Sequence, residues 1–486
     1  MSAEVKGWAT PTGWEAVIGL EVHVQLRTER KLFCGDRAVF GAEPNTHVCP
    51  VCLGLPGALP ATNPEAVHLA VRTALALGCT VHARCIWARK NYFYPDLPKG
   101  YQITQFERPL ATDGSVAFDG ADGVASVRIR RAHMEEDAGK SIHDRIPGGT
   151  AVDLNRAGTP LVEIVSEPDL RSPADTRAFL VTLKQMLEYA DVSDCNMEEG
   201  SLRVDANVSV RRRGAETLGA KTEIKNVNSF SGVEKAIESE IARQIELLEA
   251  GGRVEQQTLL WDDHRSTLRP MRSKEESHDY RYFPDPDLPP LLVSAETVAS
   301  ARAALPELPR ARRERFMAAY GLSGYDARVL TQSRQGADYF EAVAQASGDA
   351  KAAANWVMGP AQALMNERKE DAGSFSVPPA ALAELIALVA DGTISDASAK
   401  TVLAVVVDEG GRPRDVVEAR GLRQVRDDAQ LEAWVSAAIE GSPGEVARYR
   451  GGEAKLLGFL VGQVMKRSGG KADPRRVNEL LRKALE

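Results

Sequence analysis

The 486-residue chain lacks most of the features that assign a protein to a compartment or a chemistry at sight. No apolar run approaches the ~20 residues of a membrane span, and Leu456–Met465, the longest near the C-terminus, falls far short. Residues 1–13 carry no apolar signal core, so a cytoplasmic location is expected. Cysteine is sparse: six residues do not make a disulfide scaffold, and in a reducing compartment Cys49-Pro50-Val51-Cys52 reads as a metal or redox element. Positive charge is not in excess either, since 60 Lys and Arg face 68 Asp and Glu for a net charge of −8. That disfavours indiscriminate nucleic-acid binding and leaves room for a local basic surface. The common nucleotide signatures are missing too. Ala138-Gly139-Lys140-Ser141 looks like the end of a phosphate loop, but Met134 stands where its first glycine belongs. With no nucleophile elbow or dinucleotide fingerprint present, any ATP chemistry must use a sheet and a metal instead.

The length suffices for two to four domains of about 100 to 200 residues. Residues 1–292 mix strands, helices and Pro/Asp-rich loops, whereas the remainder is Ala-rich with helical spacing; a boundary is expected near Pro289-Pro290 and a second near residue 408. The expected domains are a catalytic cradle over 1–292, a helical domain over 293–408 and a C-terminal tail over 409–486, an α+β antiparallel-sheet layer followed by all-α pieces. Asn63-Pro64-Glu65 and Ser172-Pro173-Ala174-Asp175 each start a helix with a capping side chain followed by proline, and Gly78 ends the first. A third helix is expected from Ser231 to Leu248, and a last one from Asp473-Pro474 with Val477, Leu480, Leu481 and Leu485 as its apolar stripe.

Alternation marks the strands. Leu20, Val22, Val24 and Leu26 fall on one face and Glu21, His23 and Gln25 on the other, with Glu21 and His23 about 7 Å apart and able to share a metal ion. Ser201–Arg211 repeats the pattern and places Arg203 on its polar face; Lys221, Glu223 and Lys225 share another, and Glu163 is a lone carboxylate in the apolar strand Leu161–Val165. An unpaired Glu163 would be costly. Three carboxylates, Glu135, Glu136 and Asp137, crowd the stretch His133–Lys140, which demands an offsetting cation. Such a carboxylate-rich set suits Mg²⁺ or Mn²⁺, and Lys140, Arg203, Lys221 and Lys225 are candidates to meet phosphate oxygens. For each of these an ordinary surface salt bridge or solvated loop is the competing explanation. Cys34, Cys49 and Cys52 fall one thiolate short of a closed zinc site, which Asp36 or His47 would complete. Two rigid loops rich in aromatic, proline and acidic residues, Asn91–Gly100 and Asp279–Asp287, are candidates to wall a site or stack on a base.

Taken together, these stretches resemble the B subunit of the bacterial tRNA-dependent aspartyl/glutamyl amidotransferases. The resemblance covers essentially the whole chain and rests on Gly19–Val24, Cys49–Gly57, Arg89–Gln102, Glu135–Lys140, Val152–Arg156, Ser193–Ser201 and Asp279–Pro284. It implies a cradle with a glutamine-synthetase-like sheet that uses ATP to phosphorylate the side-chain carboxyl of Glu or Asp mischarged on tRNA(Gln) or tRNA(Asn). Ammonia from a glutaminase (amidase) subunit then forms the amide, and a third, small subunit makes the complex a heterotrimer. By motif, the resemblance implies magnesium held by His23, Glu136 and Glu163, with Glu21 and Glu223 serving a second, ATP-associated ion. Glu136, Glu223, Lys225 and Arg203 are then the expected catalytic groups, and Lys140, Lys221, Arg203 and Lys225 the expected ATP contacts. Asp36 stands where many members have a further cysteine, so the zinc set Cys34, Asp36, Cys49 and Cys52 departs from the family pattern. A glutamine-synthetase-class ligase for a small carboxylate and a non-catalytic tRNA-binding scaffold are the competing readings. The long helical half counts against the first, and the carboxylates on strand faces against the second.

Overall fold

The computed structural model describes residues 10–142, 146–271, 280–425 and 427–485. Asp279, the first residue of the second aromatic loop, and Glu486 lie outside them. The chain divides into two compact units, Met1–Leu308 and Pro309–Glu486.

The first unit is built on a nine-stranded sheet, whose strands we number in chain order: β1 (Trp14–Gln25), β2 (Thr80–Val81), β3 (Ala111–Gly120), β4 (Gly123–Glu136), β5 (Pro160–Ser166), β6 (Leu202–Arg212), β7 (Thr222–Val227), β8 (Thr258–Asp262) and β9 (Thr267–Pro270). Their spatial order is β9-β8-β7-β6-β1-β5-β4-β3-β2. Every neighbouring pair is antiparallel except β7 and β8. The first strand is thus the middle of the sheet. Its apolar set, Ala16, Ile18, Leu20, Val22 and Val24, is buried in one large core, while Glu21, His23 and Gln25 stay half-buried on the opposite face. Helices Pro173–Tyr189 and Phe230–Glu249 pack behind the sheet. The first starts with the expected cap, Ser172 accepting from the Asp175 N–H, and the second, expected from Ser231, starts at Phe230 with Ser229 accepting from the Gly232 N–H. The α+β expectation for this unit therefore holds.

The first unit extends past residue 292 because helix Ala295–Ala304 packs back on helix Pro64–Ala76 and buries Ala301 in the same core. Pro289-Pro290 lies within the compact unit, just before the short strand Leu291–Leu292. In the second unit the described elements are helices, with one apolar cluster drawn from residues 316–417 and another from residues 431–485. Val417, beyond the expected boundary at 408, still belongs to the former. Among the described residues no helix is long and apolar enough to cross a membrane.

Candidate active site

Register brings the polar residues together. His23 lies opposite Glu163 across β1 and β5, and Glu163 lies opposite His133 across β5 and β4, so three side chains form a row across three strands. Glu135, two residues along β4 on the same face, adds a second carboxylate. His23 Nε2 stands 3.5 Å from a Glu135 oxygen and 3.7 Å from a Glu163 oxygen, and His133 Nε2 stands 3.2 Å from Glu163. One ligand atom each from His23, Glu135 and Glu163 lies within 4.8 Å of the other two. Burial alone would raise the pKa of Glu163, yet His133 foremost, with His23 and Lys90, holds its carboxyl well below the usual range. Glu163 is therefore an anion at neutral pH. Nδ1 of His133 is buried with no hydrogen-bond partner among the described residues.

A second group sits along the same face. Lys225 Nζ is 2.9 Å from Asp205 and 3.1 Å from Glu223, and these carboxylates keep it protonated against the opposing effect of burial. Glu21 lies between the two groups, accepting from Asn207 Nδ2 at 3.1 Å. Burial, then repulsion from Glu163, Glu223 and Asp205, raises its proton affinity. A carboxylate so crowded by others gains from a nearby cation.

Glu136 does not join the row. Along β4 the side chains alternate, so Glu136 faces away with buried Met134 while His133 and Glu135 face the groove. Its carboxylate instead takes an ion pair from Lys99 and a 2.9 Å hydrogen bond from the Ile103 N–H. The metal-facing position expected for Glu136 is thus occupied by Glu135, which also accepts from Thr104 Oγ1 at 3.2 Å. Lys140 is exposed on a separate two-stranded sheet, paired with Asp153, and Lys221 is exposed just before β7; neither is brought into these groups. Arg203 lies opposite His23 across β6 and β1 and pairs with Asp137 at 3.0 Å.

The two aromatic loops meet beside the cluster of Glu135 and Glu163. The Asn91 N–H donates to the Tyr280 carbonyl at 3.0 Å, and Arg89 pairs with both Asp285 and Asp287 at 2.8 Å. Lys90, 4.8 Å from the Tyr280 ring centre, is held protonated, despite burial, chiefly by Glu135.

Away from the sheet face, Cys34, Asp36, Cys49 and Cys52 form a second cluster. Cys52 Sγ lies 3.7 Å from Cys34 Sγ, 3.8 Å from Cys49 Sγ and 3.3 Å from an Asp36 oxygen. Tetrahedral zinc with Zn–S bonds of about 2.3 Å separates its sulfurs by about 3.8 Å, so the donor set fits. Lys31 is fully buried with Nζ 3.4 Å from Cys52 Sγ, and a buried ammonium calls for an anion beside it. The Cys52 thiol is lowered to about 6, first by the Cys34 thiol and, against burial, by the Cys49 backbone and Lys31.

Comparison with known proteins decides the lineage. The GatB/GatE catalytic domain matches residues 16–299, and the GatB domain matches residues 338–485. The chain belongs to the GatB family. Similar proteins include the B subunit of the aspartyl/glutamyl-tRNA(Asn/Gln) amidotransferase of Moorella thermoacetica, 54% identical over 97% of this chain and 100% of that protein. Those of Myxococcus xanthus, 51% identical over 97% and 98% of the two chains, and Pelodictyon phaeoclathratiforme, 52% identical over 97% and 99%, are comparably near.

In this GatB chain, His133 carried no site role in the sequence reading and Glu135 only membership of the carboxylate cluster, as did Asp137; Lys90 and Lys99 carried none. For the first two a signal was present: in Arg131-Ala132-His133-Met134-Glu135 the apolar residues set the phase and put His133 and Glu135 on the polar face. Lys90 and Lys99 come from a small sheet formed by Ala88–Asn91, Tyr101–Thr104 and Phe283–Pro284 and the loop beside it, joined over long sequence distances with no local mark.

Proposed function

We propose that this chain is the synthetase subunit of a tRNA-dependent amidotransferase, a ligase that makes a carbon–nitrogen bond with glutamine as the amide donor. A side-chain carboxylate is a poor electrophile, so Glu carried on tRNA(Gln), or Asp on tRNA(Asn), first takes the γ-phosphoryl group of ATP and releases ADP. The lone pair of ammonia then attacks the acyl carbon, the C–O bond to phosphate breaks, and loss of a proton leaves the amide. One juxtaposition supports this reading above all: two carboxylates and an imidazole with ligand atoms within 4.8 Å, on the same sheet face as Arg203 and Lys225.

His23, Glu135 and Glu163 would hold a magnesium ion, a hard cation suited to two carboxylates and an open side for water or phosphate. Bound there, magnesium would neutralise phosphoryl oxygens during transfer. Glu21 and Glu223 serve a second, ATP-associated ion. Arg203 and Lys225 orient the transferred group, and the protonated Lys90 offsets the charge that accumulates on the Glu135 side of the groove. Cys34, Asp36, Cys49 and Cys52 hold a structural zinc ion. The complex includes a glutaminase subunit that supplies ammonia, together with a third, small subunit, and it works in the cytoplasm. Residues 451–486, with eight Lys and Arg against four acidic residues, grip the tRNA body.

The test is reconstitution. The purified complex is given ATP, glutamine and each mischarged tRNA, and the formation of Gln-tRNA(Gln) and Asn-tRNA(Asn) is scored with ATP consumption. Amidation of free glutamate or aspartate in preference to the charged tRNA would replace this reading with a small-molecule ligase, and tRNA binding without ATP turnover would replace it with a scaffold.

A further inference from the structure

Asp137 is the last of the three consecutive acids, and its surroundings are unlike those of the other two. Its side chain is buried, and one carboxylate gathers three hydrogen bonds and the charge of a second guanidinium. Gln25 Nε2 reaches Oδ2 at 2.9 Å, Nη1 and Nη2 of Arg203 both reach Oδ1 at 3.1 Å, and Arg156 Nε lies 3.6 Å away. The backbone is pinned as well, since the Asp137 N–H donates to the Thr159 carbonyl and its own carbonyl accepts from the Gly158 N–H, each at 2.8 Å. Arg156 donates from Nε to the Ala138 carbonyl and from Nη2 to the Gly139 carbonyl, so it meets Asp137 as a charge and not as a hydrogen-bond donor. Gly158 has φ of +86°, a left-handed conformation that closes this loop where a side chain would press on Lys31. The Asp137 carboxylate is thus held in place from several directions.

Arg203 is not so confined. It sits opposite His23 of the metal-facing row, its side chain about one-third exposed at 32%. Asp137 meets the outer nitrogens of its guanidinium, one hydrogen from each, which leaves the remaining N–H groups free to face an anion in the groove. One carboxylate between two guanidinium groups also leaves a net positive charge at that end of an otherwise acidic face. A plain structural pair would be replaceable by apolar residues at little cost. The layout here fixes the plane of one partner and keeps part of that partner open.

We infer that Asp137 is a positioning residue: it sets the orientation of Arg203 so that the guanidinium meets the phosphoryl group of ATP beside the His23, Glu135 and Glu163 cluster. The inference rests on the phosphoryl-transfer reading above. Gln25 and Arg156 act through Asp137, and Arg203 makes the contact.

The test uses the assembled complex with Asp137→Asn, Arg203→Lys and the double variant. ATP affinity is measured by equilibrium binding, KM for ATP and kcat by tRNA-dependent turnover, and thermal midpoint and metal content alongside. Asp137→Asn keeps the shape and removes the charge. It should weaken ATP binding and raise KM for ATP about tenfold with metal content unchanged, Arg203→Lys should do the same, and the double variant should be no worse than either. Additive losses, or an ATP affinity unchanged by Asp137→Asn while the thermal midpoint falls, would overturn the inference. If Asp137→Asn fails to fold, Gln25→Leu carries the test: removing this one donor should raise KM for ATP about threefold, and no change would overturn the proposal. Failure of the phosphoryl-transfer reading shows separately, as a wild-type complex that binds ATP but transfers no phosphoryl group to the carboxyl.

Discussion

Two neighbouring carboxylates should respond to the same substitution in opposite ways. Glu135 faces the groove with His23 and Glu163, and Glu136 faces Lys99 inside the unit. Glu135→Gln removes one of two anionic ligands. Altering even outer-shell partners of a metal site weakens binding 10- to 100-fold, so loss of a ligand should cost roughly 100-fold or more. Without metal, the same change takes one counter-ion from Lys90 but leaves it Glu163, so the thermal midpoint should fall less than in Glu136→Gln. Glu136→Gln instead strands Lys99, whose side chain is only 7% exposed. Breaking a buried pair from one side costs about 3–5 kcal/mol. Near 2 °C per kcal/mol for a unit of this size, the midpoint should fall by about 5 °C or more. Mn²⁺ titration followed by electron paramagnetic resonance reads the metal, and thermal unfolding in excess chelator reads stability. Normal Mn²⁺ affinity in Glu135→Gln together with its loss in Glu136→Gln would refute the facing assigned to these residues and the strand phase behind it.

Three other outcomes are open to measurement. Cys49→Ser and Cys52→Ser should each release zinc, detected as metal content per chain, and lower the thermal midpoint; a wild-type protein purified free of zinc, with the same midpoint as the variants, would remove the ion from the account. In the helical unit, burial works against ionisation of Glu341, but hydrogen bonds from Arg315, Arg312 and Tyr320 hold its carboxyl at about 2. The stability it contributes should be complete above its ordinary value near 4.5 and lost as pH falls from there toward 2; Glu341→Gln should flatten that limb in urea titrations, and an identical pH slope in both proteins would count against it. Reversing the charges of Lys466, Arg467, Lys471 and Arg475 should weaken binding of charged tRNA and reduce its dependence on salt, and equal salt slopes would show that the tail does not touch phosphate. Arg476 is left out of that set because Asp428 and Glu479 already pair with it at 2.7 Å.

Much of the fold was legible because its signals are local. Alternation in Leu20–Leu26 is set by the pleat, and the helix beginning at Pro64 is set by the Asn63 side chain, which accepts from the backbone N–H groups of Glu65 and Ala66. The site was legible in part. His23 and Glu163 stood out as polar residues in apolar strands, and register brought them together. The motif pointed to Glu136, while the strand phase, fixed by Ala132 and Met134 in the core, turned Glu135 to the groove. Lys99 and Lys90 gave no warning, because a lysine in a loop or a short edge strand has the same sequence neighbourhood whether it faces water or a buried acid. The extent of the compact unit to Leu308 was not legible for a related reason: nothing in the sequence around Pro289-Pro290 shows that the following helix comes back to bury Ala301.

The position of β1 also governs the order in which the molecule can be assembled. The strand is complete once residue 25 has been made, but its two neighbours are residues 160–166 and 202–212. During synthesis one of its edges stays open until residues 160–166 have been made, and the other until residues 202–212 follow. Such long-range pairing makes folding slow and leaves sticky intermediates. His23, Glu135 and Glu163 cannot meet before residue 163 exists, so this cluster of side chains is a late product of folding and not a seed for it. A fragment ending before Leu202 would leave β1 with one edge bare, ready to pair with another chain, and should collect in aggregates that the complete first unit avoids.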